Sequence, residues 1–271
     1  MYWWLSLIIV LLYAAETALI VLMRNNRKAT LLLVFIVSVV WFIYQSCEYI
    51  AFNIKGNGLY PVEFSHMTYF ILGATMLAGV KKMRGFASYC AMLTGLGFLI
   101  ASIASPGSMV HDAKSHFSLA ISILRHSLMW LCGFGLFFST ERFHVKDIWI
   151  PVLGIALMIG FSLLVHYRLI YKDFVKWDDM VIIKIVKGTI LGYIIDPSRL
   201  TMPVRVFTVI GIFAAVAASL VLFYYANAKI YDRRLARLTA QGKTVSDVEY
   251  GIVPFIKRQM EKKRGDNPDN A

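Results

Sequence analysis

The chain alternates between long apolar runs and short polar connections. Seven runs each supply the roughly 20 apolar residues that a helix needs to cross a membrane. They cover residues 3–23, 30–52, 61–80, 86–105, 117–140, 149–170 and 204–226. Pro61, Pro151 and Pro203 stand at or near the start of three runs, where a helix does not use the missing N–H. The pattern predicts an all-α polytopic membrane protein, with a bundle of seven transmembrane helices in residues 1–228.

Composition supports a membrane location. Of the 271 residues, 58% are hydrophobic and only 16% are charged, whereas a soluble domain carries about 25% charged residues. The net charge of +12 does not indicate a nucleic-acid partner, because Lys and Arg form short clusters between apolar runs rather than a basic surface. We expect membrane lipids as partners. The three cysteines all lie inside apolar runs without a pairing pattern, which is typical of packing residues.

The distribution of Lys and Arg predicts the orientation of the bundle. The first, third and fifth connections together with the C-terminal tail hold eighteen, and the opposite side holds eight. The positive-inside rule therefore places the N-terminus outside and the tail, residues 229–271, in the cytoplasm of a multi-pass protein of the cell membrane. We expect the basic tail to meet anionic lipid headgroups. From Gly265 onward its composition predicts disorder.

A further apolar stretch, Met180–Ile195, is a possible eighth span, which would change this topology. It has 16 residues and contains Lys184 and Lys187, which makes a spanning helix unfavourable. We interpret the connection over about residues 171–203 as an interfacial or re-entrant segment on the outer face. A span here would instead place the tail outside.

Polar and ionisable residues inside the predicted spans concentrate in the outer half of the bilayer. Such residues are costly in lipid and indicate functional sites by default. They are Gln45 and Glu48 in the second span, Glu63, Ser65, His66 and Tyr69 in the third, Arg125, His126 and Ser127 in the fifth, and His166 and Arg168 in the sixth. Glu48 and Glu63 are the anions available to pair with Arg125. Glu16, deeper in the first span, has no evident partner.

The fifth span carries a stripe of small and polar residues. Ser118, Ser122, His126, Met129 and Gly133 follow helical spacing on one face. Such a stripe normally faces the interior of a bundle, so it predicts that His126 points inward. There His126 is either a functional residue of a site or a structural residue that only hydrogen-bonds a hydroxyl of a neighbouring helix.

Ser65 is the candidate nucleophile of the third span. A serine becomes nucleophilic only when a base takes its proton. His66 is its neighbour, but successive helical residues point about 100° apart, which makes His66 a poor base for Ser65. His126 is the better-placed base.

Metal and cofactor binding are not indicated. His111 and His116 are five residues apart, which does not place them on one helical face, and no cysteine accompanies them. No phosphate-binding or dinucleotide-binding glycine motif occurs in a suitable context. We expect neither a metal nor a cofactor.

The chain resembles a known group, the bacterial YwaF-like proteins related to transmembrane protein 164. The resemblance covers roughly residues 30–230 and depends on two short stretches, PVEFS at 61–65 and LRHS at 124–127. In that family the third helix opens with Pro-x-His-x-Cys, and the cysteine accepts an acyl group. Ser65 stands at the cysteine position and Glu63 at the histidine position. A related group of lipid-ester hydrolases uses a threonine and a histidine. The resemblance to that group implies that the hydroxyl of Ser65 is an acceptable nucleophile in place of the cysteine.

Two classes of function follow. The first is a membrane enzyme acting on acyl esters of lipids, with Ser65 and His126 as its catalytic pair and Arg125 or Tyr69 stabilising the oxyanion. Glu48, Glu63 and His66 would support them. The second is a small-molecule transporter or a non-enzymatic binding or structural protein. A transport path requires polar groups through both halves of the bilayer, and the predicted inner halves of helices 3 to 7 hold almost none.

Overall fold

The computed structural model describes residues 2–55, 61, 63–113, 115–139, 142–164, 200–242 and 250–265. Its helices are α1 (Trp3–Met23), α2 (Arg27–Ile54), α3 (Phe64–Ala78), α4 (Lys81–Ala104), α5 (Pro106–Asp112), α6 (His116–Ser139), α7 (Trp149–Leu164), α8 (Met202–Ala240) and α9 (Ile252–Gly265). A short 3₁₀ turn, Val145–Asp147, precedes α7. These described residues contain no β-strand.

The predicted fold class is confirmed, since one long helix overlaps each of the seven predicted spans. Within the described residues, six segments are long and apolar enough to cross a membrane: α1, α2, α4, α6, α8 and the stretch Val145–Ser162, which covers most of α7. α3 is shorter, because its 15 residues reach only about 22 Å at 1.5 Å per residue. The chain is an all-α polytopic membrane bundle.

Several helix boundaries differ from the predicted ones. α3 begins at Phe64, so Pro61 precedes the helix and Glu63 occupies its N-cap position. α4 begins at Lys81 and includes the basic cluster in its first turns. α8 continues beyond the predicted span to Ala240. The helical spacing of Lys229, Arg233, Arg234 and Arg237 predicts this continuation of the last helix into the tail. The interfacial segment predicted at 171–203 lies almost entirely outside the described residues. So does the disorder predicted from Gly265 onward, apart from Gly265 itself, which ends α9.

The bundle is organised around α6, which packs against α1, α2 and α4. Glycines permit the close approach of α4 and α6. A Cβ added at Gly95 would lie 2.7 Å from the Cβ of Trp130, and one at Gly133 would lie 2.7 Å from the backbone nitrogen of Met92. Small residues allow such contacts between helices in a membrane, where apolar side chains gain little from leaving lipid.

The two ends of the bundle are named here after α1: the Trp3 end, where α1 begins, and the Met23 end, where it stops. A tight turn joins α1 to α2 at the Met23 end. At the Trp3 end, Ser6 donates a hydrogen bond to the carbonyl oxygen of Ser102 near the end of α4. An apolar core that includes Leu72, Met76 and Leu136 fills the bundle toward the Met23 end.

The basic tail packs onto the Met23 end. The ring of Tyr250 lies 5.9 Å from that of Phe35 in α2. Gly79, which ends α3 with a φ of 74°, leaves no room for a Cβ, because Pro254 Cδ would lie 2.6 Å from it. The sequence did not predict helix α9 or this docking.

Candidate functional site

Arg125 and Glu48 form an ion pair between α6 and α2. Arg125 Nη2 lies 3.0 Å from Oε1 and 2.9 Å from Oε2 of Glu48, and Gln45 Nε2 donates to Oε2 at 2.8 Å. The rings of Trp41 and Tyr44 lie 5.9 Å and 5.3 Å from the guanidinium carbon, within range of cation–π attraction. Glu48 is therefore the partner of Arg125, one of the two that the sequence offered.

Glu63 and His66 form a separate contact at the start of α3. Glu63 is 68% exposed, and its Oε2 lies 3.7 Å from Nε2 of His66. The His66 ring also meets the ring of Tyr49 edge-on at 6.1 Å. His66 is thus directed toward α2.

His126 lies inside the bundle with one ring nitrogen already bonded. Its Nδ1 is 2.8 Å from the carbonyl oxygen of Ser122. A carbonyl oxygen only accepts, so Nδ1 carries the proton and donates it, and the neutral ring keeps its lone pair on Nε2. The ring stacks on Phe98 of α4 at 4.1 Å and meets Tyr69 of α3 at 6.4 Å. The inward direction is the one that the polar stripe of this helix predicts.

Ser65 occupies the first turn of α3 and is half-buried. It precedes Tyr69 by four residues, which places both on the same face of the helix. α3 and α6 both pack against α2 and α4, and Tyr69 contacts His126 between them. Among the residues described, no hydrogen bond joins Ser65 to His126. The structure brings Tyr69 and His126 together and leaves Ser65 one helical turn from that contact.

Four buried polar atoms near this contact have no hydrogen-bond partner within the described residues. They are the hydroxyls of Tyr49 and Tyr69, Oε1 of Gln45 and Nε of Arg125. Tyr69 is 3% exposed and Gln45 1%. Leaving such a group unsatisfied costs about 1–3 kcal/mol. Three of the four are hydrogen-bond donors, each of which lacks an oxygen acceptor among the described residues.

Tyr49 lies among these buried polar residues, and sequence reasoning missed it. Gln45, Glu48 and Tyr49 follow i, i+3, i+4 spacing, which places them on one face of α2. That spacing is a usable signal, but a tyrosine near the end of an apolar helix is equally typical of the membrane interface. We call Gln45, Glu48, Tyr49, Tyr69, Arg125 and His126 the polar layer.

Fold and polar layer together define a polytopic α-helical membrane protein with a buried polar site toward one end of its bundle. No group of three or more metal-binding side chains occurs in the part of the chain that the structure describes. Comparison of the chain with family models, curated proteins and solved structures found no match. The resemblance to the YwaF-like group therefore stays a prediction from the sequence.

Proposed function

We propose that the protein is a membrane enzyme that acts on acyl esters of lipids, as an acyltransferase or a hydrolase. The observation that carries this proposal is the state of His126. Its Nδ1 proton is committed to the Ser122 carbonyl, which makes Nε2 the basic nitrogen inside the bundle. A base of this kind is what a serine hydroxyl requires to act as a nucleophile.

In the proposed reaction, the hydroxyl proton of Ser65 moves to Nε2 of His126 as Ser65 Oγ attacks the ester carbonyl carbon. The hydroxyl of Tyr69 or the guanidinium of Arg125 stabilises the oxyanion. Collapse of this intermediate breaks the ester C–O bond, and the leaving alcohol takes the proton from His126. The acyl group then remains on Ser65. Water releases it in a hydrolase, and a second alcohol accepts it in a transferase.

The buried unpartnered donors support this assignment over a transport path. The ring of Tyr69 meets that of His126 edge-on at 6.4 Å. The hydroxyls of Tyr69 and Tyr49 are both buried without a hydrogen-bond partner in the described part of the chain. Toward the Met23 end, Leu72, Met76 and Leu136 are buried in an apolar core. A polar layer closed on one side by apolar side chains is more typical of a site than of a channel through the bilayer.

The location of the layer fits a lipid substrate. With the orientation that the positive-inside rule predicts, the Trp3 end faces the outside of the cell membrane. Lipid of the outer leaflet would then reach Ser65 sideways from the bilayer. The basic tail would meet anionic headgroups of the opposite leaflet.

The test is the covalent intermediate. Purified protein in phospholipid vesicles with isotope-labelled acyl chains should carry a labelled acyl ester on the peptide that contains Ser65. Ser65→Ala and His126→Ala should lose this adduct. Ser46→Ala is the matched control, because Ser46 is a half-buried serine of α2 whose hydroxyl is already bonded to the Phe42 carbonyl. An adduct that persists in Ser65→Ala, or never forms in the wild type, overturns the acyl-serine mechanism.

A further inference from the structure

Helix α9 begins where the tail packs onto the end of α3. A Cβ added to Gly251 would lie 2.6 Å from the Cα of Gly79, and one added to Gly79 would lie 2.6 Å from Cδ of Pro254. Pro254 is buried. Tyr250, just before the helix, packs against the apolar core, with its ring 5.9 Å from that of Phe35 in α2. The first turn of α9 is therefore fixed against the bundle.

The helices that receive α9 indicate the depth of this docking. Phe35 is five residues into the apolar run that begins at residue 30, which is about 8 Å along a helix. The 15 residues of α3 reach about 22 Å, which is about 8 Å less than the hydrocarbon core of a bilayer. The two distances agree. α3 ends short of the membrane surface at the Met23 end, and α9 starts at that depth rather than in the water beyond it.

Along α9 the residues change from apolar to basic. The first five, residues 252–256, are all apolar. The next nine, residues 257–265, include five Lys or Arg and a single acidic residue, Glu261. Five residues rise about 8 Å along a helix, which equals the depth of the docking site. Because charged residues are costly in hydrocarbon, we expect α9 to run toward the surface and to reach the headgroups where its basic residues begin.

The apolar side chains at the start of α9 are turned away from the bundle. Pro254 is the buried one. The other four are 49–61% exposed: Ile252, Val253, Phe255 and Ile256. On α2, the exposed residues Leu32 and Ile36 flank the docking site of Tyr250. The exposed start of α9 is thus continuous with the lipid-facing surface of a membrane helix, and an apolar surface of this kind is typical of a membrane contact.

We propose that α9 is a lipid anchor at the Met23 end of the bundle. Residues 252–256 occupy the edge of the hydrocarbon beside α3, and the basic residues after them bind anionic phospholipid headgroups. The 14 residues of α9 reach only about 21 Å, too short for a further span. Charge alone predicts that the tail meets headgroups, whereas an apolar anchor at this depth follows from the docking. The anchor is independent of the proposed reaction.

Spin labels in the full-length chain measure the depth of α9 in phosphatidylcholine nanodiscs that contain phosphatidylserine. Phe255→Cys and Glu261→Cys introduce the labelling sites, in a Cys47→Ser background because Cys47 is exposed. The two sites are a matched pair, since Phe255 is 61% exposed and the side chain of Glu261 is 63% exposed. The label at Phe255 should collide mainly with oxygen, which dissolves in lipid, and the label at Glu261 mainly with a water-soluble nickel complex. If both labels collide mainly with nickel, the proposal is overturned, and the apolar start of α9 fits a soluble partner protein instead.

The choice of lipid can be tested on the wild-type chain, without any substitution. Each basic residue near an anionic surface strengthens binding by about fivefold. Trypsin should therefore cut after Lys257 at least about fivefold more slowly in nanodiscs with phosphatidylserine than in nanodiscs of phosphatidylcholine alone. Arg237, which is exposed in α8, is the control site, because its cleavage rate corrects for the attraction of trypsin to the charged membrane. A ratio of the two cleavage rates that is the same in both lipids contradicts the proposal.

Discussion

The Nδ1 atom of His126 lies 2.8 Å from the carbonyl oxygen of Ser122, one turn earlier in the same helix. In many enzymes a carboxylate holds the histidine in its reactive tautomer. Here the backbone of α6 does so, and no acidic side chain is required for that purpose. The base that we propose is therefore oriented by its own helix, and the Arg125–Glu48 ion pair is not needed to hold it.

The first prediction concerns Ser65 and His126 as a catalytic pair. Ser65→Ala and His126→Ala should each lower lipid turnover by about 100-fold to 10,000-fold, the range of a lost general base. The double variant should be no slower than either single one, because groups that act as one unit fail together. The measurement is release or transfer of a labelled acyl chain in vesicles.

Ser65→Cys is the informative rescue for this pair. A thiol is a stronger nucleophile than a hydroxyl and still has His126 as its base, so part of the activity should remain. If Ser65→Ala leaves turnover unchanged while His126→Ala abolishes it, the serine is not the nucleophile.

Tyr69 gives the second prediction. If its hydroxyl stabilises the oxyanion, Tyr69→Phe should lower the turnover rate by about 100-fold to 1,000-fold. The thermal stability should change little, because this hydroxyl has no partner among the described residues to lose. Turnover and melting temperature of the same purified variant are the two measurements.

Tyr89→Phe is the matched control for Tyr69→Phe. Tyr89 is equally buried, but its hydroxyl bonds to Ser219 at 2.7 Å and to the carbonyl of Val216 at 3.1 Å. We expect a loss of about 1 kcal/mol of stability and unchanged turnover. A Tyr69→Phe variant that melts earlier and turns over normally would give Tyr69 a structural role only.

The third prediction separates the two glutamates near Arg125. Glu48→Gln should lower the free energy of unfolding by about 3 kcal/mol, because it leaves the Arg125 charge unpaired in a mostly buried place. Glu63→Gln should stay within about 0.5 kcal/mol of the wild type, since Glu63 is 68% exposed. The check is unfolding in detergent micelles; equal effects of both changes would contradict the pairing.

Long apolar runs made the fold predictable, because a helix that crosses lipid needs about 20 apolar residues in sequence. The same signal cannot fix where a helix stops. α3 begins after Glu63 rather than at Pro61, since hydropathy does not register the cap. The pairing of Arg125 with Glu48 rather than Glu63 depends on the rotation of α2 against α6, which no single-helix pattern contains.

Docking of the tail was unpredictable for a related reason. It depends on two glycines with positive φ, Gly79 at 74° and Gly251 at 118°. A Cβ on Gly251 would lie 2.6 Å from Gly79 Cα. This contact joins two stretches of backbone. Hydropathy and charge describe side chains, so neither pattern could predict it.

The fourth prediction tests this docking. Gly79→Ala should release α9, because the new Cβ would lie 2.6 Å from Pro254 Cδ and 2.7 Å from the Tyr250 carbonyl oxygen. Gly242→Ala is its control: Gly242 also has a positive φ, 65°, but nothing within 4 Å of the added Cβ. A loss of about 1.4 kcal/mol in docking corresponds to a tenfold change in its equilibrium. Trypsin should then cut at Lys257 about ten times faster in Gly79→Ala, and at the wild-type rate in Gly242→Ala. Equal rates in the two variants would mean that backbone strain, and not the lost contact with the tail, causes the effect.

The fifth prediction concerns orientation, on which the side of lipid entry depends. A reporter fused after Ala271 should be cytoplasmic, and one fused to a chain truncated after Ala113 should be external, because the Lys and Arg residues divide eighteen to eight between the two sides. Activity of paired reporters that work only inside or only outside the cell is the measurement. An external C-terminus would move the polar layer to the cytoplasmic half of the bilayer. The substrate would then be a lipid of the inner leaflet, although the chemistry of Ser65 and His126 would be unchanged.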